Sequence, residues 1–324
     1  MVILQCMLKI SILVPVYGVE KYIEECARSL FEQTYEDIEY VFVDDCSPDR
    51  SIAILEQTAS EYPNRLSQIK IVRHEKNQGL GGARLTALQN ATGDYVAHID
   101  SDDLMPTDAI RELAGIAEKT DADFIDGAYE EWADGKPGKK TLPPHTSKEN
   151  LLRKMLCQNI VKNRIWGRLY RRTTLLNHNV LSIKGIDYSE DYCVVPRAIY
   201  YSTMAHTDNT VYYYRTDNAA SYTHTQSERH ITSHLRACQL VAQFIAAADN
   251  DRKYRRATDI GIANAWRCAA DNGYPPEKAE EILQYKQTDI VCRLTTAMWK
   301  RRLAIKAATM IYRLYRRMYT TICT

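Results

Sequence analysis

Asp100-Ser101-Asp102-Asp103 closes the apolar run YVAHI, and Asp44-Asp45 closes the run EYVFV. Carboxylates this close raise one another's pKa values unless a cation or hydrogen-bond donors sit among them. Mg2+ or Mn2+ suits the first string, because such ions are held by one or two protein carboxylates together with substrate phosphates. The local alternative is a turn that caps the helix beginning in PTDAIREL. In the second string an aspartate can accept from the ring N–H of a uracil base, while Ser47-Pro48-Asp49 behind it has ordinary turn chemistry. Both readings of that segment hold together.

Gln78-Gly79-Leu80-Gly81-Gly82 leads into a helical run. Its spacing is neither a Walker A loop nor GxGxxG, so Arg84 is a better candidate than the glycines for neutralising a diphosphate. Ser189-Glu190-Asp191 opens a helix in the second half, where a carboxylate can take the proton of an attacking hydroxyl. Acidic residues in a first helical turn are also favoured by the helix dipole alone.

The elements that position these residues follow from periodicity. From residue 8 to about 130, apolar β-branched runs (KISILVPV, EYVFVDD, QIKIVRH, DYVAHID, DFIDGAY) alternate with segments of 3.6-residue period, such as Tyr22, Ile23, Cys26, Ala27, Leu30 and Phe31. That alternation predicts an α/β fold with a mainly parallel sheet flanked by helices. Ligands then sit at the carboxyl ends of the strands, where strand order switches. A loop rich in Gly, Pro and Lys over 134–144 is expected to separate a half at 1–130 from one at 131–225. In the second half 148–158 and 189–201 read as helices, and IWGRLYRR and TVYYY as strands. From 226 to 324 the pattern is helical throughout.

A chain of 324 residues accommodates one large α/β core and an appended unit. No apolar run approaches the ~20 residues that cross a bilayer, and the opening MVILQCML lacks the basic leader and cleavage site of a secretory signal. The nine cysteines include no CxxC pair, so they read as buried small hydrophobes in a reducing cytoplasm. The net charge of +1 conceals an asymmetry: after Asp289 there is no acidic residue, while Arg293, Lys300, Arg301, Arg302, Lys306, Arg313, Arg316 and Arg317 are basic. Leu303, Ala307, Met310, Ile311, Leu314 and Met318 share one face of a helix there. Such a basic amphipathic helix either lies over 299–319 on an anionic membrane surface or packs on the protein with a solvated basic face. No motif aims the patch at nucleic acid, which is not an expected partner.

Taken in order, KISILVPVYGVEKYIEECARSLFEQTYEDIEYVFVDDCSPD, NQGLGGARLTALQNATGDYVAHIDSDD, IWGRLYRR and SEDYCVVPRAIYYS with TVYYYR resemble glycosyltransferase family 2, whose members have the GT-A (Rossmann-like) fold. The family includes many bacterial polysaccharide, O-antigen and capsule transferases, and the resemblance covers about residues 8–225. It implies a GT-A catalytic domain over 1–225, a nucleotide-sugar half (1–130) and an acceptor half (131–225), and an inverting transfer from a nucleotide-sugar donor, with UDP favoured, to a hydroxyl of a glycan or lipid-linked acceptor. It places the enzyme in the cytoplasm or on the inner face of the cell membrane.

Residue by residue, the resemblance implies that Pro15, Val16 and Tyr17 line the nucleotide pocket, that Asp45 with Asp44 reads uracil, and that Asp100 and the adjoining Ser101 lie on the ribose side. Asp102 would bind Mn2+ or Mg2+ on the diphosphate. Asp191 would be the catalytic base with Glu190 orienting it, and Trp166 would lie under the acceptor sugar, as its flat apolar face allows. Cys46 stands where the family usually has Gly, Leu85 where Asn is frequent, and Ser189 where Gly is frequent. Two other classes fit less well: a non-catalytic nucleotide-sugar-binding protein would lack Asp102 or Asp191, and a nucleotidyltransferase would need a glycine-rich phosphate loop after the first strand, which PVYGVEKY does not supply.

Overall fold

The computed structural model describes residues 7–158, 161–218 and 227–322. In chain order the elements are β1 (Ile10–Val16), α1 (Ile23–Phe31), β2 (Ile38–Asp44), α2 (Ser51–Ser60), β3 (Ile69–Arg73), α3 (Leu80–Asn90), β4 (Tyr95–His98), α4 (Ala109–Thr120), β5 (Phe124–Ala133), β6 (Lys136–Thr141), α5 (Lys148–Leu156), β7 (Arg168–Arg171), α6 (Arg172–Asn177), α7 (Glu190–Tyr201) and β8 (Met204–Arg215). They continue as α8 (Glu228–Ala248), α9 (Arg255–Asp271), α10 (Pro276–Ile282), α11 (Ile290–Lys300) and α12 (Ile305–Ile322). The chain divides into two compact units. One comprises Met1–Pro143, Ile165–Gly185 and Tyr201–His224, the other Pro144–Arg164, Ile186–Tyr200 and Thr225–Thr324. Segments 144–164 and 186–200, expected with the first 225 residues, therefore group with the C-terminal helices.

In the first unit the sheet runs β3-β2-β1-β4-β7-β5-β6, with β8 also paired to β5. β3, β2, β1 and β4 are parallel, as are β5 and β8, while β7 is antiparallel to both β4 and β5. Every residue of β1 is buried, which is why its sequence is apolar at every position but Ser11 rather than an alternation. Helix α1 covers the sheet with Ile23, Cys26, Ala27, Leu30 and Phe31, the i, i+3, i+4 stripe of an amphipathic helix. Strand order reverses about β1, with β2 on one side and β4 on the other.

The segment 134–144 is not a plain loop. Asp134 and Gly135 have φ of 52° and 73°, the two positive values of a type I′ turn, and β6 returns antiparallel to β5 with Lys136 opposite Ala133. Pro137 and Gly138 give this stretch the composition of a loop, yet both are tolerated because β6 is an edge strand.

In the second unit α9 is the central helix, burying Ala257, Ile260, Ile262, Ala263, Ala265 and Trp266 among others. A Cβ on Gly261 would lie 2.2 Å from the Leu156 carbonyl oxygen, so glycine is what lets α5 approach α9. Buried Asp259 accepts from the backbone N–H groups of Thr288 (2.9 Å) and Asp289 (2.7 Å), which fixes the start of α11. α12 packs through Ala308, Tyr312 and Tyr319, with the Tyr312 hydroxyl donating to the Ile260 carbonyl at 3.2 Å. The described cysteines are all free thiols, most of them buried; Cys6 and Cys323 lie outside the described residues. No described helix is long and apolar enough to cross a membrane.

Candidate active site

The carboxyl ends of β1, β2 and β4 meet at one edge because the strands are in register: Val16 lies opposite Asp44, and Leu13 opposite His98. The chain continues the pairing past the strands, with Asp45 N–H donating to Val16 O (3.0 Å) and Ile99 N–H to Leu13 O (3.1 Å). Pro15, Val16 and Tyr17 end β1, the Asp44-Asp45 pair ends β2, and the Asp100–Asp103 string follows β4. Val16 is fully buried in the core, so only its backbone can face a ligand, whereas Tyr17 is 51% exposed.

Asp44 Oδ1 accepts from Ser47 N–H at 2.8 Å, closing the Asp44–Ser47 turn that leads into Ser-Pro-Asp. Cys46 in that turn has φ of 60°, a left-handed value that glycine adopts freely. Its side chain is exposed, so the turn survives with a cysteine at this position. Asp45 is more heavily engaged: Oδ1 meets His74 Nδ1 (2.7 Å) and Gln78 N–H (2.7 Å), and Oδ2 meets Gly79 N–H (2.9 Å). These three donors leave about one of the roughly four lone-pair sites of a carboxylate, on Oδ2. His74 escaped the sequence reading; its position at the end of β3, on the same sheet edge, is the signal that points to it.

Arg84 is 1% exposed, and its Nη2 donates to Asp100 Oδ1 at 2.7 Å. The guanidinium expected to neutralise a diphosphate is thus held beside Asp100. Asp102 Oδ2 accepts from Asn218 Nδ2 at 2.8 Å. Burial, and then the Asp100 charge, push the Asp102 carboxyl above its ordinary range. Asp103, buried beside Ser101, is pushed well up by burial and then by Asp102 and Asp100. It accepts from the Tyr212 hydroxyl and from Arg215 N–H, both at 2.7 Å. Among the described residues no set of three or more His, Cys, Asp or Glu side chains is arranged to hold a metal. One or two crowded carboxylates with too little positive charge around them fit an ion that completes its shell with phosphate.

The end of β8 and the residues that follow it clamp this string. Arg215 Nε donates to Asp102 O at 2.7 Å and Nη2 to Glu25 at 2.5 Å, while the guanidinium covers the Tyr22 ring at 5.1 Å. Tyr22 in turn donates to Asn218 at 3.2 Å. TVYYYR reads as a strand from sequence, but nothing in its pattern assigns Tyr212, Arg215 or Asn218 to the acidic loop. Trp166 is 6% exposed and stacks on Tyr212 (4.3 Å, 15°) and Tyr214 (5.2 Å, 9°). The flat face expected under an acceptor sugar is occupied by tyrosine rings.

Glu190 and Asp191 lie in the second unit, in the first turn of α7. Ser189 before them has φ of 64°, so its position, like that of Cys46, is one that favours glycine. The loop is fastened to α8: Ser233 Oγ accepts from Asp187 N–H (2.9 Å) and Tyr188 N–H (3.0 Å), Arg229 pairs with Asp187 (2.7 Å), and Ser189 Oγ meets His234 Nδ1 (2.9 Å). Burial, then Arg267, lower the His234 pKa to about 4. The unfolded chain takes up that proton near pH 6.5, so acid favours unfolding between the two values. The stabilisation is complete above about pH 6.5, and about 3 kcal/mol of it is expected to vanish as the pH falls towards 4. Chemical denaturation across this range should show a shallower pH dependence for His234→Gln; identical profiles for the two proteins would remove His234 from the account.

A sheet with a parallel β3-β2-β1-β4 core, flanking helices and an acidic loop at the carboxyl end of β4 is the GT-A fold. Residues 11–180 match the family model for glycosyl transferase family 2, and the chain belongs to that family. It is 34% identical over 191 residues to the uncharacterized glycosyltransferase EpsJ of Bacillus subtilis (strain 168), covering 56% of this chain and 53% of that protein. It is 28% identical over 218 residues to the poly(ribitol-phosphate) beta-N-acetylglucosaminyltransferase TarS of Staphylococcus aureus (strain MW2), covering 65% of this chain and 36% of TarS. The chain thus spans about half of the first relative and about a third of the second. Among solved structures, S. aureus TarS 1–349 in complex with UDP-GlcNAc superposes with a TM-score of 0.69 at 20% identity, over 95% of this chain and 92% of that one. The Pyrobaculum calidifontis mannosyltransferase PcManGT, in complex with GDP-Man and Mn2+, gives 0.51 at 18%, over 96% and 88%. At these identities the superpositions bear on fold.

Proposed function

We propose that this chain transfers a sugar from a UDP-sugar, with inversion, to a hydroxyl of a glycan or lipid-linked acceptor used in cell-surface polysaccharide synthesis, at the inner face of the membrane. The observation that carries the reading is the Asp100–Asp103 string, half-buried at the switch point of the sheet and clamped by Tyr212, Arg215 and Asn218. The remaining acceptor site of Asp45, beside Asp44, takes the ring N–H of uracil. Asp100, oriented by Arg84 and followed by Ser101, lies on the ribose side, and Pro15 to Tyr17 flank the base. Asp102 would hold Mn2+ or Mg2+, which when bound supplies positive charge for the departing diphosphate. Asp191 accepts the proton of the attacking hydroxyl and Glu190 orients it.

Calorimetric titration of UDP, GDP and dTDP with and without Mn2+ tests this reading. UDP is expected to bind only with the metal, and Asp102→Ala to weaken that binding by at least about tenfold, a typical loss when a metal site is impaired. Failure of all three nucleotides to bind the folded protein would overturn the donor assignment. Metal-independent binding untouched by Asp102→Ala would overturn the metal assignment alone.

A further inference from the structure

α12 carries three distinct faces. Ala308, Tyr312 and Tyr319 are buried against the second unit. On the opposite side Met310 (60% exposed), Ile311 (43%), Leu314 (56%) and Met318 (65%) form a solvent-facing apolar stripe, extended by Leu303 just before the helix. At about 100° per residue, Lys306, Arg313 and Arg317 fall together along one edge of that stripe. The apolar period in the sequence is therefore not the packing face. The helix already has a packing face made of tyrosines, and four large aliphatic side chains remain in water, which monomeric proteins rarely leave as one contiguous patch.

Charge decides what covers the stripe. Arg293, Arg301, Arg302, Lys306, Arg313 and Arg317 are exposed, and no ion pair is formed by any of them among the described residues. Chain 290–322 contains no acidic residue. Two copies meeting through this face would bring two such unpaired cationic clusters together, whereas an anionic surface would neutralise one. A groove of about 410 Å3 beside the stripe is lined by Ile305, Met310 and Leu314 with Lys306, Arg313, Thr309 and Asp271; Asp271 is paired with Arg267, so the unpaired charges bordering the apolar strip are cationic.

We propose that α12 docks lengthwise on an anionic phospholipid surface. Met310, Ile311, Leu314 and Met318 enter the boundary between headgroups and acyl chains, and Lys306, Arg313 and Arg317 take lipid phosphates from the flank. Long basic side chains suit this position because their stems lie along apolar surface while their heads stay polar. The buried tyrosine face keeps the helix attached to its own unit as it docks. The inference deepens the acceptor reading above, since it puts the chain where a lipid-linked acceptor lies, but its test needs neither donor nor acceptor.

The test is sedimentation of the full chain with vesicles of phosphatidylcholine alone and with about one third phosphatidylglycerol, a mixture that supplies the anionic surface potential. Binding is expected only to the anionic vesicles. It should weaken sharply as salt rises from about 0.1 M to about 1 M and the screening length falls from ~10 Å to ~3 Å. Replacing Lys306, Arg313 and Arg317 together by Ala should lower partitioning roughly a hundredfold, at about fivefold per basic residue. Met310→Glu with Leu314→Glu should abolish it. Circular dichroism and thermal unfolding check that both variants keep the native fold. Absence of sedimentation with anionic vesicles by the folded chain overturns the proposal, as does binding that survives both variants. So does a dimer, seen by ultracentrifugation, that Leu314→Glu dissolves, because the stripe would then be a contact between copies. Loss of UDP binding would count against the donor site and leave the vesicle result standing.

Discussion

Asp191→Asn is expected to lower sugar transfer by about a thousandfold, within the ~10²–10⁴ range for removing a positioned general base, while calorimetric UDP binding stays unchanged. Asparagine preserves the volume and one acceptor oxygen of aspartate but cannot take the proton that an attacking hydroxyl must lose. Asp191 belongs to the second unit, and the carboxylates assigned to the donor, Asp45, Asp100 and Asp102, belong to the first. The substitution therefore leaves every proposed donor ligand in place. In steady-state terms kcat should collapse while the donor KM moves little, the pattern of an interaction made only in the transition state. Transfer within about tenfold of the native rate would leave Asp191 as an acidic first-turn residue favoured by the helix dipole alone. Parallel loss of UDP binding would argue equally against the base assignment.

How much of this was legible in the sequence depends on the range of the forces involved. β1, β2 and β4 are readable because burial on both faces writes a mostly apolar run, and α1 because one buried face writes a 3.6-residue stripe. The acidic string is readable because carboxylates at a strand end are poor core material. What surrounds them is not. Arg84 pairs with Asp100 across 16 residues, His74 with Asp45 across 29, and Tyr212 with Asp103 across 109; side-chain contacts at such separations leave no local periodic trace. The same limit hides the grouping of α5 with α9, which depends on a missing Cβ at Gly261 opposite the Leu156 carbonyl. α12 is the instructive case. Its amphipathic period is visible, but a period does not say whether the apolar face meets protein or something else. Cys46 and Ser189, departures from the family pattern with no evident meaning in the sequence, prove to occupy left-handed backbone positions, which gives the family's glycine a physical reason.

Asp126→Ala is expected to cost about 3–5 kcal/mol, the range for stranding one member of a buried ion pair. Asp126 and Arg168 face each other across β5 and β7, each 1% exposed, with Nε to Oδ1 at 3.0 Å and Nη2 to Oδ2 at 3.1 Å. Burial disfavours the guanidinium charge, but Asp126 and Tyr170 together outweigh it and hold the Arg168 pKa above its ordinary value. Without Asp126 the buried cation loses the carboxylate that faces it across the two strands. Against a total stability of about 5–15 kcal/mol that loss is large, and urea denaturation would show it directly. Replacing the pair together, Asp126→Leu with Arg168→Met, should recover most of the stability, because apolar residues of similar volume remove the desolvation cost along with the attraction. β7 is the antiparallel strand inserted between β4, which leads to the acidic loop, and β5, which pairs with β8 and hence with the Tyr212 to Asn218 clamp. If the pair's role is to hold that insertion, the double variant should also regain metal-dependent UDP binding. Equal instability of the single and double variants would mean that the shape of these side chains, rather than their charge, secures β7.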